Sequence, residues 1–316
     1  VMEHASRPAI LAPDRAGIAE AARILREGGL VAVPTETVYG LAARADRDES
    51  VAAIYKAKGR PSFNPLIVHV PDLESAQALA TFDARALQLA DAFWPGPLTL
   101  VLPLRADPPV AAAVTAGLAT VALRCPAHPV MRALIAETGL PLAAPSANRS
   151  GGVSPTDAAH VVSSLQDRID AVIDAGACEA GLESTIVALR EGGRWQVLRP
   201  GPISEPHIAA VLGTSSDAVT SQTIEAPGQL ASHYAPGKPV RLDASTAQTG
   251  EFHIGFGDVA GDVTLSASGD LDEAAARLYA LLHEAAASPQ PRIAVAPIPH
   301  DGIGAAINDR LRRAAA

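Results

Sequence analysis

Aromatic side chains are scarce: only 3% of the 316 residues are Phe, Trp or Tyr, which leaves few rings on which nucleic-acid bases could stack. Positive charge is also in deficit. A net charge of −9 argues against a broad phosphate-binding face, so an anion site has to be a local positive pocket in an acidic protein, a setting that suits a nucleotide better than a duplex. Cys125 and Cys178 are the only cysteines, too few for a disulfide framework and without the Cys-x-x-Cys spacing of zinc or redox work, so both are expected as reduced thiols. No run reaches the roughly 18 apolar residues of a membrane helix, and Val1-Met2-Glu3-His4 has neither the basic start nor the apolar core of a signal peptide. The expectation is a soluble cytoplasmic protein. A P-loop, a His-Glu-x-x-His pair and an EF-hand loop are missing, and no catalytic triad can be nominated from spacing.

What is present is aliphatic. With 48% hydrophobic residues the chain can bury a large core of Ala, Val, Leu and Ile, and its length suits two domains better than one. Its most informative stretch runs from Val31 to Val70. Leu30-Val31-Ala32-Val33 reads as a buried strand that opens into the hydroxyl-rich turn Pro34-Thr35-Glu36-Thr37-Val38-Tyr39-Gly40-Leu41, and polar loops at strand ends are where α/β proteins place their sites. Ser50 to Lys56 reads as a helix, with Lys58 and Arg60 beyond its end on the turn Gly59-Arg60-Pro61. Lys56 could equally complement the helix C-terminus. Asn64-Pro65 and a second strand, Leu66 to Val70, carrying His69, follow.

Upstream, Asp14 is expected to cap a helix through Arg26 that stops at Gly28-Gly29. Downstream, helical patterns at Leu73 to Ala80 and Asp83 to Phe93 precede a strand from Leu98 to Leu102, and Phe93-Trp94 reads as core packing rather than base stacking. Thr120-Val121-Ala122-Leu123-Arg124 is an alternating strand whose end is a rigid mounting for a guanidinium that forks onto a carboxylate. After a helix from Ala127 to Glu137, the small-residue loop Ser146 to Ser154 would admit a phosphate to backbone amides, with the dipole of the helix near Asp157 behind it. A hairpin at Glu191-Gly192-Gly193 brings Arg199 back toward Ser184, so the two can face one cavity, and Ser204 to Leu212 closes the unit as a capped helix.

Gly213 to Ile224 has the composition of a linker, but it runs into Ala226-Pro227-Gly228 and His233-Tyr234, an unusual ending for a passive tether. Beyond Lys238, strands near 239–242, 252–256, 263–265 and 292–296 alternate with helices near 271–286 and 303–313, which predicts a small parallel sheet with helices packed on it. Gly255-Phe256-Gly257 misses the dinucleotide fingerprint because the third glycine stands one residue too far along.

Pro34-Thr35-Glu36-Thr37-Val38-Tyr39-Gly40-Leu41, Lys58-Gly59-Arg60-Pro61, Asn64-Pro65-Leu66, His69, Pro145-Ser146-Ala147-Asn148, Glu183-Ser184-Thr185-Ile186-Val187 and Arg199-Pro200-Gly201 resemble, in this order, the motifs of the YrdC-like family of L-threonylcarbamoyladenylate synthases. The segment from Pro227-Gly228 to His233-Tyr234-Ala235-Pro236 resembles the linker of the family's long form. The resemblance implies an α/β fold: a YrdC-like twisted mixed-sheet domain with flanking helices over 1–212, a linker folding over the active site at 213–237, and a smaller Rossmann-like α/β domain at 238–316. It implies synthesis of threonylcarbamoyl-AMP and pyrophosphate from L-threonine, bicarbonate and ATP. The product would pass to a separate transferase for N6-threonylcarbamoylation of adenosine in tRNA. Carried onto this sequence, Thr35, His69, Arg124 and Ser184 would hold threonine, with Arg124 on its carboxylate. Arg60, Asn64, Thr120, Ser146, Asn148, Ser154, Arg199 and Tyr234 would meet ATP, with the backbone at Ala144 reading adenine. Lys58 and Arg60 would supply charge at the reacting phosphates, and Mg2+ is implied as Mg-ATP without a visible protein ligand set. Two rival readings are an RNA-binding module, disfavoured by the acidic balance and scarce aromatics, and carbamoyl transfer in hydrogenase maturation, whose usual acylphosphatase-like and zinc-motif regions are not visible here.

Overall fold

The computed structural model describes residues 7–219 and 223–316; the start at Val1 to His4 and the middle of the linker, 220–222, lie outside the described residues. Ten strands, β1 (Ala9–Leu11), β2 (Val31–Val33), β3 (Gly40–Arg44), β4 (Ile67–His69), β5 (Leu98–Pro103), β6 (Thr120–Arg124), β7 (Leu142–Ala143), β8 (Ala171–Ile173), β9 (Thr185–Leu189) and β10 (Trp195–Arg199), form one sheet. Their order is β1-β8-β2-β3-β7-β4-β6-β5-β9-β10. Parallel pairs such as β4 with β6 and β5 with β9 alternate with antiparallel ones such as β3 with β7 and β5 with β6. The central strands are buried along almost their whole length, which is why they read as continuous apolar runs rather than as alternation.

Local chemistry fixes where the helices start. Asp14, Asp72, Asp83 and Asp157 each turn a carboxylate onto a backbone N–H of the first helical turn, satisfying donors that the helix itself cannot. Two expectations change here. The helix after β3 runs Asp48–Lys58 and ends on Gly59 at φ 63°, so Lys58 is its last residue instead of standing beyond it. At Ala158–Leu165 the N-terminus is occupied by the Asp157 side chain, so its dipole is answered inside the protein and is not offered to a phosphate.

The C-terminal unit has four strands, β11 (Val240–Arg241), β12 (Glu251–Gly255), β13 (Val263–Thr264) and β14 (Arg292–Val295), in the order β11-β14-β12-β13 and with every pairing parallel. The helices Leu271–Ala287 and Gly304–Ala314 pack on it through Leu278, Leu282, Ile307 and Leu311. Tyr234, Val38, Val153 and Leu182 belong to this same apolar cluster, so the core of the last unit is continuous with the loops of the first. Gly255 and Gly261 approach each other's backbone closely, with no room for a Cβ; this packing, not nucleotide binding, accounts for the glycines there. Among the described residues no helix is long and apolar enough to cross a membrane.

Candidate active site

One cavity gathers Thr35, Arg60, His69, Arg124, Ala144, Ser146, Ser184, Arg199 and Tyr234. The sheet explains the convergence. β4 and β6 are parallel neighbours in which His69 stands opposite Arg124, while β9 and β10 form a hairpin that brings Arg199 against the loop carrying Ser184. These strands deliver side chains from distant parts of the sequence to one edge of the sheet.

The loop after β2 is folded by its own hydroxyls. The Thr35 Oγ1 donates to the Val38 carbonyl at 2.7 Å, accepts from the Thr37 and Val38 amides, and lies 2.8 Å from the Thr37 Oγ1. That oxygen is fully engaged, so Thr35 has its main chain, not its hydroxyl, to offer a ligand. Arg124 is held from three sides: Nε donates to the Gly96 carbonyl at 3.3 Å, Nη1 to Thr37 Oγ1 at 2.9 Å and Nη2 to Glu36 Oε1 at 2.6 Å. The other Glu36 oxygen accepts from the amides of Ala127 and His128. Burial pushes the Glu36 carboxyl up, but Arg124 and these hydrogen bonds outweigh it and hold it below the ordinary carboxylate range. His69 is buried, its Nδ1 has no partner among the described residues, and burial together with Arg124 brings its pKa down to about 3. It is a neutral imidazole with one unused nitrogen facing a charged neighbourhood.

On the other side of the cavity, Arg60 donates through Nε to the Asn64 carbonyl at 3.1 Å and through Nη2 to Asn64 Oδ1 and the Pro65 carbonyl at 2.7 and 2.8 Å. Arg199 donates to the Ser184 carbonyl at 3.0 Å and to Ser184 Oγ at 3.1 Å, and Thr99 meets the same hydroxyl at 2.7 Å. Both guanidiniums are buried and held in place by these acceptors while lining the cavity.

Five expected site residues are not among those that line this cavity. Lys58 is fully desolvated, its pKa falls well below that of an ordinary lysine chiefly through burial and then Arg60, and its Nζ donates to the carbonyls of Ser146 and Asn148. It staples the small-residue loop from beneath. Asn148 ties that loop together by donating to the Arg149 and Gly152 carbonyls. Asn64 positions Arg60, and Ser154 donates to Glu183 Oε1 at 2.5 Å. Thr120, at the start of β6, shares a face with Arg124 by the two-residue period of a strand but lies outside the cavity lining.

Residues from the 213–237 segment also border the cavity. Pro227, Gly228, His233 and Tyr234 line the cavity, and Ala226 packs into an apolar cluster with Ile67, Val101, Ala122, Ile186, Ala188 and Leu198. Glu225 receives a bidentate pair from Arg190 at 2.8 and 2.7 Å, and the Ala235 amide donates to the Gly151 carbonyl. Tyr234 takes φ 62°, a costly conformation for a bulky side chain, and its hydroxyl is buried without a partner among the described residues.

The sequence reading missed Glu36, Glu183, Tyr279 and Arg310. Glu183 is a buried carboxylate on the cavity wall. Burial raises its pKa, Arg310 and Arg199 lower it more, and the balance falls to about 2. It was readable as the one acidic residue next to Ser184. Arg310 was readable too, because on the last helix it occupies the stripe formed by Ile303, Ala306, Ile307, Leu311 and Ala314, where an unpaired charge would be intolerable.

A family model described as telomere recombination matches residues 23–201, and one described as the C-terminal domain of threonylcarbamoyl-AMP synthase matches 203–316. The chain belongs to the threonylcarbamoyl-AMP synthase family. The synthase of Bacillus subtilis is 41% identical over 94% of this chain and 92% of its own, and that of Pyrococcus abyssi 38% identical over 93% and 92%. The crystal structure of P. abyssi Sua5 complexed with L-threonine superposes with a TM-score of 0.89 at 36% identity, covering 97% of each chain. A protein of this family is an enzyme that uses ATP in a nucleotidyltransferase-type reaction.

Proposed function

We propose that this cavity holds ATP and L-threonine side by side and joins them, through bicarbonate, into threonylcarbamoyl-AMP, with release of pyrophosphate. The observation that carries the reading is the convergence of Arg60, Arg124 and Arg199 on one enclosed space, each buried and each immobilised by protein acceptors. The reaction requires mutually repelling anions to meet, so fixed cations and positioning matter more than a covalent nucleophile. In this reading residues 1–212 are the catalytic domain, 213–237 its cover and 238–316 the support of that cover.

Threonine lies between the Thr35 loop and Ser184, its carboxylate on Arg124 and a polar group on the free Nδ1 of His69. Its amine takes up the carbon of bicarbonate with loss of water to form a carbamate. A carbamate oxygen then bonds to the α-phosphorus as the bond to the β-phosphate oxygen breaks. Arg60 and Arg199 neutralise the phosphates, the Ala144 backbone meets the adenine, and Tyr234 closes over the nucleotide. Asn64, Ser154, Asn148 and Lys58 act by holding these groups, and Thr120 extends the nucleotide face along β6.

A magnesium ion fits this wall only as part of the ATP complex. The oxygens of Glu36 and Glu183 are already engaged by protein donors, and among the described residues no group of three His, Cys, Asp or Glu could hold a metal. Ser146, which lines the cavity, is a side chain that could help to hold the ion, and when bound the ion would neutralise phosphate charge. The product, a reactive mixed anhydride, goes to a separate transferase that modifies adenosine in tRNA. Pyrophosphate release measured with each amino acid in turn, with and without bicarbonate, tests the reading: strict dependence on threonine and bicarbonate is expected, and release indifferent to either would overturn it.

A further inference from the structure

Glu183 puts a carboxylate on the wall of a cavity read here as a triphosphate site, an arrangement that should repel the ligand. The charge is cancelled from outside the catalytic sheet. Arg310, on the last helix and completely buried, donates through Nε to Glu183 Oε2 at 2.9 Å, and Tyr279 donates to the same oxygen at 2.8 Å. Arg310 is itself aimed by Asp309, which accepts from its Nη1 at 2.9 Å and also pairs with Arg313. Its guanidinium carbon stands 5.2 Å from the centre of the Tyr234 ring, within the range of a cation–π contact, and its Nη2 is buried with no partner among the described residues.

We infer that Arg310 is a positioning residue for the nucleotide site: the C-terminal unit supplies the cation that neutralises Glu183 and seats Tyr234, so the phosphates meet Arg60 and Arg199 uncancelled. The inference rests on the reading of the cavity as an ATP site. It gives the C-terminal unit an electrostatic task that its own sheet and glycines do not reveal. The same helix grips the 213–237 segment, since Arg313 donates to the Leu230 carbonyl and accepts from the His233 amide through its own carbonyl oxygen. Neutralisation and closure are therefore delivered by one rigid element.

The test is ATP affinity by calorimetry, together with the ATP KM for threonine-dependent pyrophosphate release, in the full-length protein. Arg310→Met should weaken ATP on the order of ten- to a hundred-fold, the effect of one partly buried uncompensated charge on a nearby phosphate, with the threonine KM changed far less. Arg310→Lys should keep most of the affinity. Adding Glu183→Gln to Arg310→Met should restore ATP binding to within about threefold of Glu183→Gln alone, because no carboxylate remains to be neutralised. That last pair carries the test even if Arg310→Met alone does not fold. A double variant as weak as Arg310→Met, or weaker than Glu183→Gln by the full single-mutant factor, would show that Arg310 acts only as packing and overturn the inference. Wild-type protein that releases no pyrophosphate in response to threonine would instead sink the functional reading itself.

Discussion

Replacing Arg124 by Met gives a sharp measure of the threonine side of the cavity, because the change strands a neighbour. In the native chain the Arg124–Glu36 pair is 2.6 Å apart, with side chains only 5% and 13% exposed. Removing one partner of a buried pair typically costs about 3–5 kcal/mol, since the other charge stays desolvated. In the proposed complex the threonine carboxylate would also lose its cation and meet the Glu36 carboxylate instead, so threonine affinity should fall by at least about a hundred-fold while ATP affinity changes little. The pH dependence separates this account from a loss of packing. The native Glu36 carboxyl is held low, so its contribution to stability is fully present above the unfolded carboxylate value and is lost only as pH falls through the depressed folded one. Without Arg124, burial, the largest influence on this carboxyl, is opposed only by backbone amides such as those of Ala127 and His128, and the folded value should rise above the unfolded one. The variant's folded state then binds a proton that its unfolded state does not, and acidification from pH 8 to 5.5 should shrink its deficit relative to wild type. Urea unfolding at the two pH values reads this directly. A deficit of the same size at both would refute the claim that Glu36 is stranded, and unchanged threonine affinity would refute the assignment of Arg124.

Other expectations follow from the same geometry. Arg60→Ala should abolish detectable nucleotide binding by calorimetry while leaving threonine affinity within about threefold, since among the described residues Arg60 is held by Asn64 and Pro65 and makes no hydrogen bond to the Glu36–Arg124 side. Gly228→Ala should loosen the cover: a Cβ there would stand 2.7 Å from Arg199 Cδ and 2.9 Å from the Tyr234 hydroxyl, at φ +86°, so faster nucleotide release is expected in stopped-flow displacement. His69 and His233 are both brought down to about 3, chiefly by burial, so neither changes charge between pH 6 and 8. ATP affinity should show no histidine step in that window; a step lost in His69→Asn would overturn the neutral assignment.

What was legible in the sequence was the chemistry that is local. Asp14 announced a cap, Glu191-Gly192-Gly193 announced a turn, and the largely apolar runs at 30–33, 66–70 and 98–102 announced buried strands because each is short, β-rich and bounded by turn residues. His69 and Arg124 meet for the same reason: each ends its strand, and the two strands are parallel neighbours. Lys58 was harder to read. Its place on the final helical turn, rather than past it, decides whether the ammonium meets solvent or the Ser146 and Asn148 carbonyls, and a boundary shift of one or two residues is below what periodicity resolves. Glu183 and Arg310 lie 127 residues apart, and no pattern within either segment names the other as its partner.

That long separation also explains why the cavity can be both cationic and stable. Arg60, Arg124 and Arg199 repel one another, and burial lowers the pKa of Arg60 to about 10 and that of Arg199 from its ordinary value. Left to the first sheet alone, relief would have to come from carboxylates beside them, and carboxylates beside them would repel the substrates. The fold places its two counter-charges at the edges of the space instead, Glu36 behind Arg124 and Glu183 against Arg310. Both oxygens of each carboxylate already accept from protein donors, which tempers the charge they show to a ligand. The net charge of −9 then works at longer range: a negative surface with a small positive interior admits an anion only where the local cations outweigh the rest, and screening by salt should narrow the barrier to entry more than it weakens the bound state. Raising ionic strength from 20 to 200 mM should therefore leave the ATP off-rate nearly constant and change the on-rate. A salt dependence carried mainly by the off-rate would mean that the cations lie in solvent rather than in the enclosed cavity described above.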